Sequence, residues 1–166
     1  TTVTGLMIFL AYGSTSVVAR QIGAGHQGRG LELGVQAMWL AGLIGATVGA
    51  LTWAAAPWLA AWLGAEGQVH AQAVEYLRWS LPGLPGMLVV IAATGLLRGL
   101  QNTRVPLVIA VTGAIVNAGL NFVFIYPMGM GVAGSALGTA VTETLMAAAF
   151  VVIAVRAARA AGVSLR

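Results

Sequence analysis

The chain has no cysteine, no lysine and no aspartate. Without cysteine it can form neither a disulfide nor a thiolate-ligated metal site. Without aspartate no Ser/His/Asp set can be assembled. Without lysine there is no Gly-Lys-Ser/Thr phosphate loop, so this segment does not consume ATP. His26 and His70 fall in polar connecting segments, with no companion at metal-ligand spacing, and read as solvated loop residues. Neither an enzymatic signature nor a cofactor site is legible. Charge of either sign is scarce. Arginine and glutamate together make up 7% of the 166 residues, against about 25% charged residues in a soluble domain.

Apolar residues fill the space. The hydrophobic fraction is 59% and the mean hydropathy +0.92, which places the chain in a membrane. A pI near 10.8 could point to nucleic acid, but the arginines lie between hydrophobic segments and read as topology signals. Five spans are expected, at about 1–18, 36–58, 76–97, 105–126 and 133–155. The expected fold class is an all-α polytopic membrane protein, a bundle of five transmembrane helices. Short connections then put Arg20, Arg29, Arg98, Arg104, Arg156, Arg159 and Arg166 on one side and only Arg78 on the other. The positive-inside rule makes the first side cytoplasmic. The chain opens at Thr1 inside an apolar stretch, without the charged start of a signal peptide. It reads as a piece of a larger protein.

The first span carries many hydroxyls, among them Thr4, Ser14, Thr15 and Ser16, and the Gly-rich stretch 19–30 after it reads as a solvated turn. In the second span Ala41, Gly45, Gly49 and Trp53 recur every four residues, a small-residue face suited to close helix approach. Trp58 and Trp62 fit an interfacial belt, and Pro57 is expected to end the span. The polar stretch 63–79 predicts a helix lying at the water boundary, running into the third span at about Tyr76. Pro82 and Pro85 should bend that span. Asn102 or Thr103 can cap the next helix, with Pro106 in its first turn.

The stretch from Val105 to Tyr126 organises the rest. About 22 residues long, it would reach ~33 Å as a helix, enough to cross a bilayer core. It holds no charge but two amides, Asn117 and Asn121, four apart and on the face that also carries Gly113. Amides in hydrocarbon need partners, so this stripe predicts another helix, a water-filled cavity or a substrate path. Interhelical bonding and cavity lining are compatible. The last span has a polar stripe of its own: Ser135, Thr139, Thr142, Glu143 and Met146. An ionisable residue within a span marks a functional site by default, or else pairs with a neighbour or stays wet at the interface. Tyr76 can equally be an interfacial aromatic.

Three motifs carry a family resemblance. They are the loop Leu97-Arg98-Gly99-Leu100-Gln101-Asn102-Thr103-Arg104-Val105-Pro106, the Asn117-x-x-x-Asn121 stripe, and the turn Gly129-x-Gly131-x-x-Gly134 leading to Gly138-Thr139. With Val18-Ala19-Arg20-Gln21-Ile22-Gly23-Ala24-Gly25, their order and spacing resemble the multidrug and toxic compound extrusion (MATE) transporters, of the DNA-damage-inducible-F-like bacterial branch. The resemblance implies twelve helices in two six-helix lobes around a central cavity, with this chain as helices two to six of the N-terminal lobe. It implies export of cationic or amphiphilic compounds in exchange for H⁺ or Na⁺ by alternating access. The implied partners are membrane lipids, a cationic drug-like substrate and the remaining helices, and the implied place is a bacterial plasma membrane. The resemblance puts Tyr76, Asn117, Asn121 and Thr139 at cavity positions. Proton-coupled relatives often carry an aspartate where Asn121 stands. An amide cannot carry the proton, which leaves Glu143, one turn beyond Thr139, as the substitute to consider. A lipid-linked-precursor or polysaccharide flippase of the same superfamily is the rival reading, though it calls for a basic cavity. A non-transporting membrane scaffold is the other.

Overall fold

The computed structural model describes residues 15–162. Its elements are a helical stretch over 15–23 (α1), Gln27–Trp62 (α2), Gly67–Ser80 (α3), a 3₁₀ turn at Leu81–Gly83, Leu84–Gly99 (α4), Arg104–Ile125 (α5) and Gly131–Ala160 (α6). There is no strand among the described residues. Four stretches are long and apolar enough to cross a membrane: Gln27–Trp62, Gly67–Gly99, Arg104–Ile125 and Gly131–Ala160. This is an all-α, multi-pass membrane architecture. The first expected span, at about 1–18, lies almost wholly outside the described residues.

The turns are short because the chain reverses within single caps. After α2, Ala65 N–H bonds to Ala60 O and Gly64 N–H to Ala61 O, with Gly64 at φ +82°. That double bond is a Schellman cap, and its left-handed residue suits glycine. The α4–α5 turn has the same bonds, Asn102 to Leu97 O and Gln101 to Arg98 O, but here a glutamine occupies the left-handed position, at φ +58°. Asn102 then accepts from Val105 N–H at 3.2 Å, the expected capping role.

Two expectations change. Pro57 does not end its helix: α2 runs on to Trp62 with the proline inside it. Proline is tolerated within membrane helices where neighbours satisfy the backbone. Beside it, His70 Nε2 on α3 donates to Pro57 O at 2.9 Å. His70 is therefore a partly buried tie between two helices, not a solvated loop residue. The stretch 63–79, expected to lie at the water boundary and join the span at Tyr76, is helical and continuous with that span from Gly67. It forms the outer half of one 33-residue helical run, Gly67–Gly99. Pro82 and Pro85 have no N–H to donate, and the run survives them as a 3₁₀ turn in which Leu84 N–H bonds to Leu81 O. The polar residues of α3 other than His70 and Ser80 are exposed, with the Arg78 guanidinium 5.1 Å over the Trp53 ring.

Packing follows the small residues. A Cβ added at Gly45 would come within 2.6 Å of Pro85 Cα, and one at Gly49 within 3.2 Å of Leu81 O. The break in the α3–α4 run is thus pressed backbone to backbone against α2. On its other side Gly83 meets Ala140 Cα and Gly86 meets the Glu143 carbonyl, so α4 and α6 run in parallel. The core of Val18, Leu31, Val35, Met38, Leu88, Leu96 and Phe150 fills the other half of the bundle. α5 packs antiparallel on α6 and barely touches α4. A gap remains between α4 and α5, floored by α6.

Candidate functional site

That gap is a hollow of about 330 Å³, within the range of small-molecule sites. α4 contributes Val90 and Thr94, α5 contributes Gly113 and Asn117, and α6 contributes Thr139, Thr142, Glu143 and Met146. Among the described residues no arginine or histidine borders it. Among the described residues Glu143 is the only one on its walls that can carry a formal charge.

The polar side chains form a directed ladder. Thr139 Oγ1 donates to Ser135 O at 3.1 Å and Thr142 Oγ1 to Gly138 O at 2.8 Å. Their protons committed to the backbone, both hydroxyls are left as acceptors. Asn117 Nδ2 donates to Thr139 Oγ1 at 3.3 Å and, more weakly, to Thr142 Oγ1 at 3.5 Å. Asn121 Nδ2 donates to Asn117 Oδ1 at 3.2 Å. Both amide orientations follow from this direction of donation. The last acceptor, Asn121 Oδ1, is buried without a hydrogen-bond partner. It lies against Gly138, in space that a Cβ there would take.

Of the residues singled out in the sequence, the structure brings together Asn117, Thr139 and Glu143 on the walls of the hollow. Asn121 stands behind the wall and reaches it through Asn117. Tyr76 is 43% exposed on α3 and does not border the hollow. Two further residues shape the site: Thr142, already in the polar stripe read from the sequence, and Gly138, known there only as a motif position. Thr142, only 3% exposed, is a rung of the ladder. Gly138 makes room for Asn121, and Gly134 one turn earlier makes room for Phe124. The Gly134-x-x-x-Gly138 spacing was the available signal. Among the described residues no group of three or more His, Cys, Asp or Glu could hold a metal ion.

The sequence profile of the MatE family matches residues 1–123. The multidrug resistance protein MdtK of Klebsiella pneumoniae (strain 342) is 32% identical over 122 residues, which is 74% of this chain and 26% of that protein. Protein DETOXIFICATION 44, chloroplastic, of Arabidopsis thaliana is 37% identical over 82 residues, 49% of this chain and 16% of its own length. Among solved structures, an inward-facing multidrug resistance MATE family transporter of the MOP superfamily superposes with a TM-score of 0.80 at 28% identity, covering 89% of this chain and 33% of that one. An outward-facing one gives 0.81 at 28% identity over 87% and 32%. The Vibrio cholerae MATE transporter VcmN in its bent form gives 0.84 over 99% and 37%, at 23% identity a likeness of fold alone. The chain spans roughly a sixth to somewhat over a third of the length of these relatives.

Proposed function

Because the chain belongs to the MatE family, we propose that it acts as part of a secondary active multidrug efflux antiporter, exporting cationic or amphiphilic compounds in exchange for H⁺ or Na⁺ by alternating access. In this reading it supplies helices two to six of the N-terminal lobe in a bacterial plasma membrane. The ends bearing Arg20, Arg29, Arg98, Arg104, Arg156 and Arg159 face the cytoplasm. The observation that carries the proposal is the ladder from Asn121 to Thr139 and Thr142, set in apolar helices beside an open hollow. Polar groups at membrane depth are costly and serve either packing or a pathway. Here Asn117 and Thr139 both pack and border open space.

Asn117 and Thr139 then contact the substrate or ion directly, Asn121 orients Asn117, and Glu143 contributes the charge. Tyr76 joins the cavity only from its outer rim. The near-equal fit to inward- and outward-facing relatives supports a lobe that moves as one body, as in rocking transporters. A flippase for anionic lipid-linked precursors would be served by basic walls, and the hollow has none. The test is gradient-driven efflux of a cationic dye by the full-length protein. Asn117→Ala should abolish efflux at normal expression. Unchanged efflux in both Asn117→Ala and Asn121→Ala would remove the site.

A further inference from the structure

We propose that a groove between α2 and α6, towards the end of the bundle that carries the 24–26 and 100–103 turns, holds one phospholipid whose headgroup bears both a phosphate and a primary ammonium, as phosphatidylethanolamine does. The groove shares no lining residue with the hollow. The site goes beyond the antiporter reading and does not depend on it.

The groove has a volume of about 180 Å³, and its lining is wholly apolar. Val35, Trp39 and Gly42 of α2 form one side, Val151 and Val155 of α6 the other, and α4 adds Val89. Trp39 is 69% exposed and Leu43, one turn on, 64%, so the groove opens outwards. A cavity with such walls offers water no hydrogen-bond partner and stays dry. At membrane depth an acyl chain fills it with no polar group to desolvate.

Charges of both signs stand at one mouth of this groove. Glu32, half-buried, precedes Val35 by three residues on α2, and Arg159, exposed, follows Val155 by four on α6. At those spacings each continues the groove-lining stripe of its own helix. Glu32 is the sixth residue of α2 and Arg159 the last but one of α6, so both lie within about 8 Å of the same end. Neither has an ion-pair partner among the described residues, and they do not pair with each other. Two opposite charges held apart match the two charges of one headgroup. The carboxylate accepts from the ammonium N–H groups, and the guanidinium donates to the phosphate oxygens. Side chains lean towards the N-terminus of their helix. α6 runs antiparallel to α2, so Arg159 leans back over the groove, while Trp39 leans towards the mouth with an indole N–H that an ester carbonyl can accept. Arg29 and Arg156 do not continue the stripes, lying about 120° and 100° round their helices from Val35 and Val155. A headgroup with phosphate alone leaves Glu32 facing like charge. A quaternary ammonium has no N–H to give it.

The experiment is native mass spectrometry of the full-length protein, stripped of lipid in detergent and titrated with palmitoyl-oleoyl phosphatidylethanolamine or with the phosphatidylglycerol or phosphatidylcholine of the same chains. Wild type should bind its first phosphatidylethanolamine about fivefold more tightly than either competitor, the size of one charge contact at headgroup level. Glu32→Gln keeps the shape and removes the charge, and should abolish that preference. Arg159→Gln should weaken phosphatidylethanolamine and phosphatidylglycerol alike. Gly42→Leu places a side chain in the groove, where an added Cβ would meet only the Val89 methyl at 3.3 Å, and should weaken all three lipids. Arg29→Gln, off the stripe, should leave the ranking and the affinities as in wild type. A wild type that holds a competitor as tightly, or a preference that survives Glu32→Gln, overturns the proposal. Equal losses in Arg29→Gln and Arg159→Gln also overturn it, since they would show attraction to a basic surface in place of a site.

Discussion

Asn121 Oδ1 rests on Gly138, filling the volume that any larger residue at 138 would claim. This contact sets the register of the whole ladder. It holds the Asn121 amide with its nitrogen toward Asn117, so each donor above it points the same way. Gly138→Ala should push the Asn121 side chain aside and break its bond to Asn117. The loss should be about 0.6–1.7 kcal/mol, the range for hydrogen bonds between membrane helices. Because the obstacle is the end of a side chain, Gly138→Ala should cost less in an Asn121→Ala background. A denaturation series on the four proteins measures this. Strict additivity would mean that the two residues do not constrain each other.

Asn117 is the branch point, donating to two hydroxyls while accepting from Asn121. Thr142→Val removes the longer of its two acceptors and should cost little, about 0.6 kcal/mol. Thr139→Val removes the shorter one, and the exposed acceptor at the hollow with it. Substrate affinity should therefore fall in Thr139→Val and stay near wild type in Thr142→Val. Equilibrium dye binding by the full-length protein distinguishes them. Equal losses would mean that exposure to the hollow is immaterial.

The glycines at the helix break should be intolerant of any side chain. At Gly45, Gly83 and Gly86 an added Cβ would meet backbone atoms of a neighbouring helix at 2.6–2.9 Å, and backbone cannot swing aside. Gly45→Ala and Gly86→Ala should each cost about 1–3 kcal/mol as overpacking and lower the yield of folded protein. Gly119, also helical, has nothing within 4 Å of an added Cβ. Gly119→Ala should be neutral, or stabilising by up to about 1 kcal/mol through helix propensity. Thermal midpoints in detergent report both. Equal damage at 119 and 45 would show that the open face of α5 is tightly covered in the full-length protein.

Much of this was legible in the sequence, for reasons that differ by residue. Asn117, Asn121 and Thr139 stand out because an amide or hydroxyl repeated every four residues in an apolar span needs a partner. The 67–80 half of the third span was misread because Glu75 and Arg78 dilute its hydropathy. Helix continuity depends on backbone bonding, which survives Pro82 and Pro85 by shifting to a 3₁₀ turn. Pro57 misled for a related reason, since the loss of its one N–H does not stop α2 from running on to Trp62. Gly138 was visible as a motif letter, but its use depends on which side chain from another helix meets it. A single helix does not reveal that.

The orientation of the bundle gives the last prediction. Helix order places the 24–26 and 100–103 turns at one end and the 63–66 and 126–130 turns at the other. Six arginines of the described residues cluster at the first end. Arg78 belongs to the other half, stacked on Trp53. In the proposed orientation the arginine-rich end is retained inside, as the positive-inside rule gives for a bias this one-sided. Because the chain carries no cysteine, single cysteines can be introduced against a silent background. Glu66→Cys and Met128→Cys, both exposed, should react with a membrane-impermeant maleimide in intact cells. His26→Cys and Thr103→Cys, also exposed, should react only after permeabilisation. The reverse pattern would turn the protein over and move the arginines outside. Labelling of 26 and 66 from the same side would break the alternation of helices across the membrane.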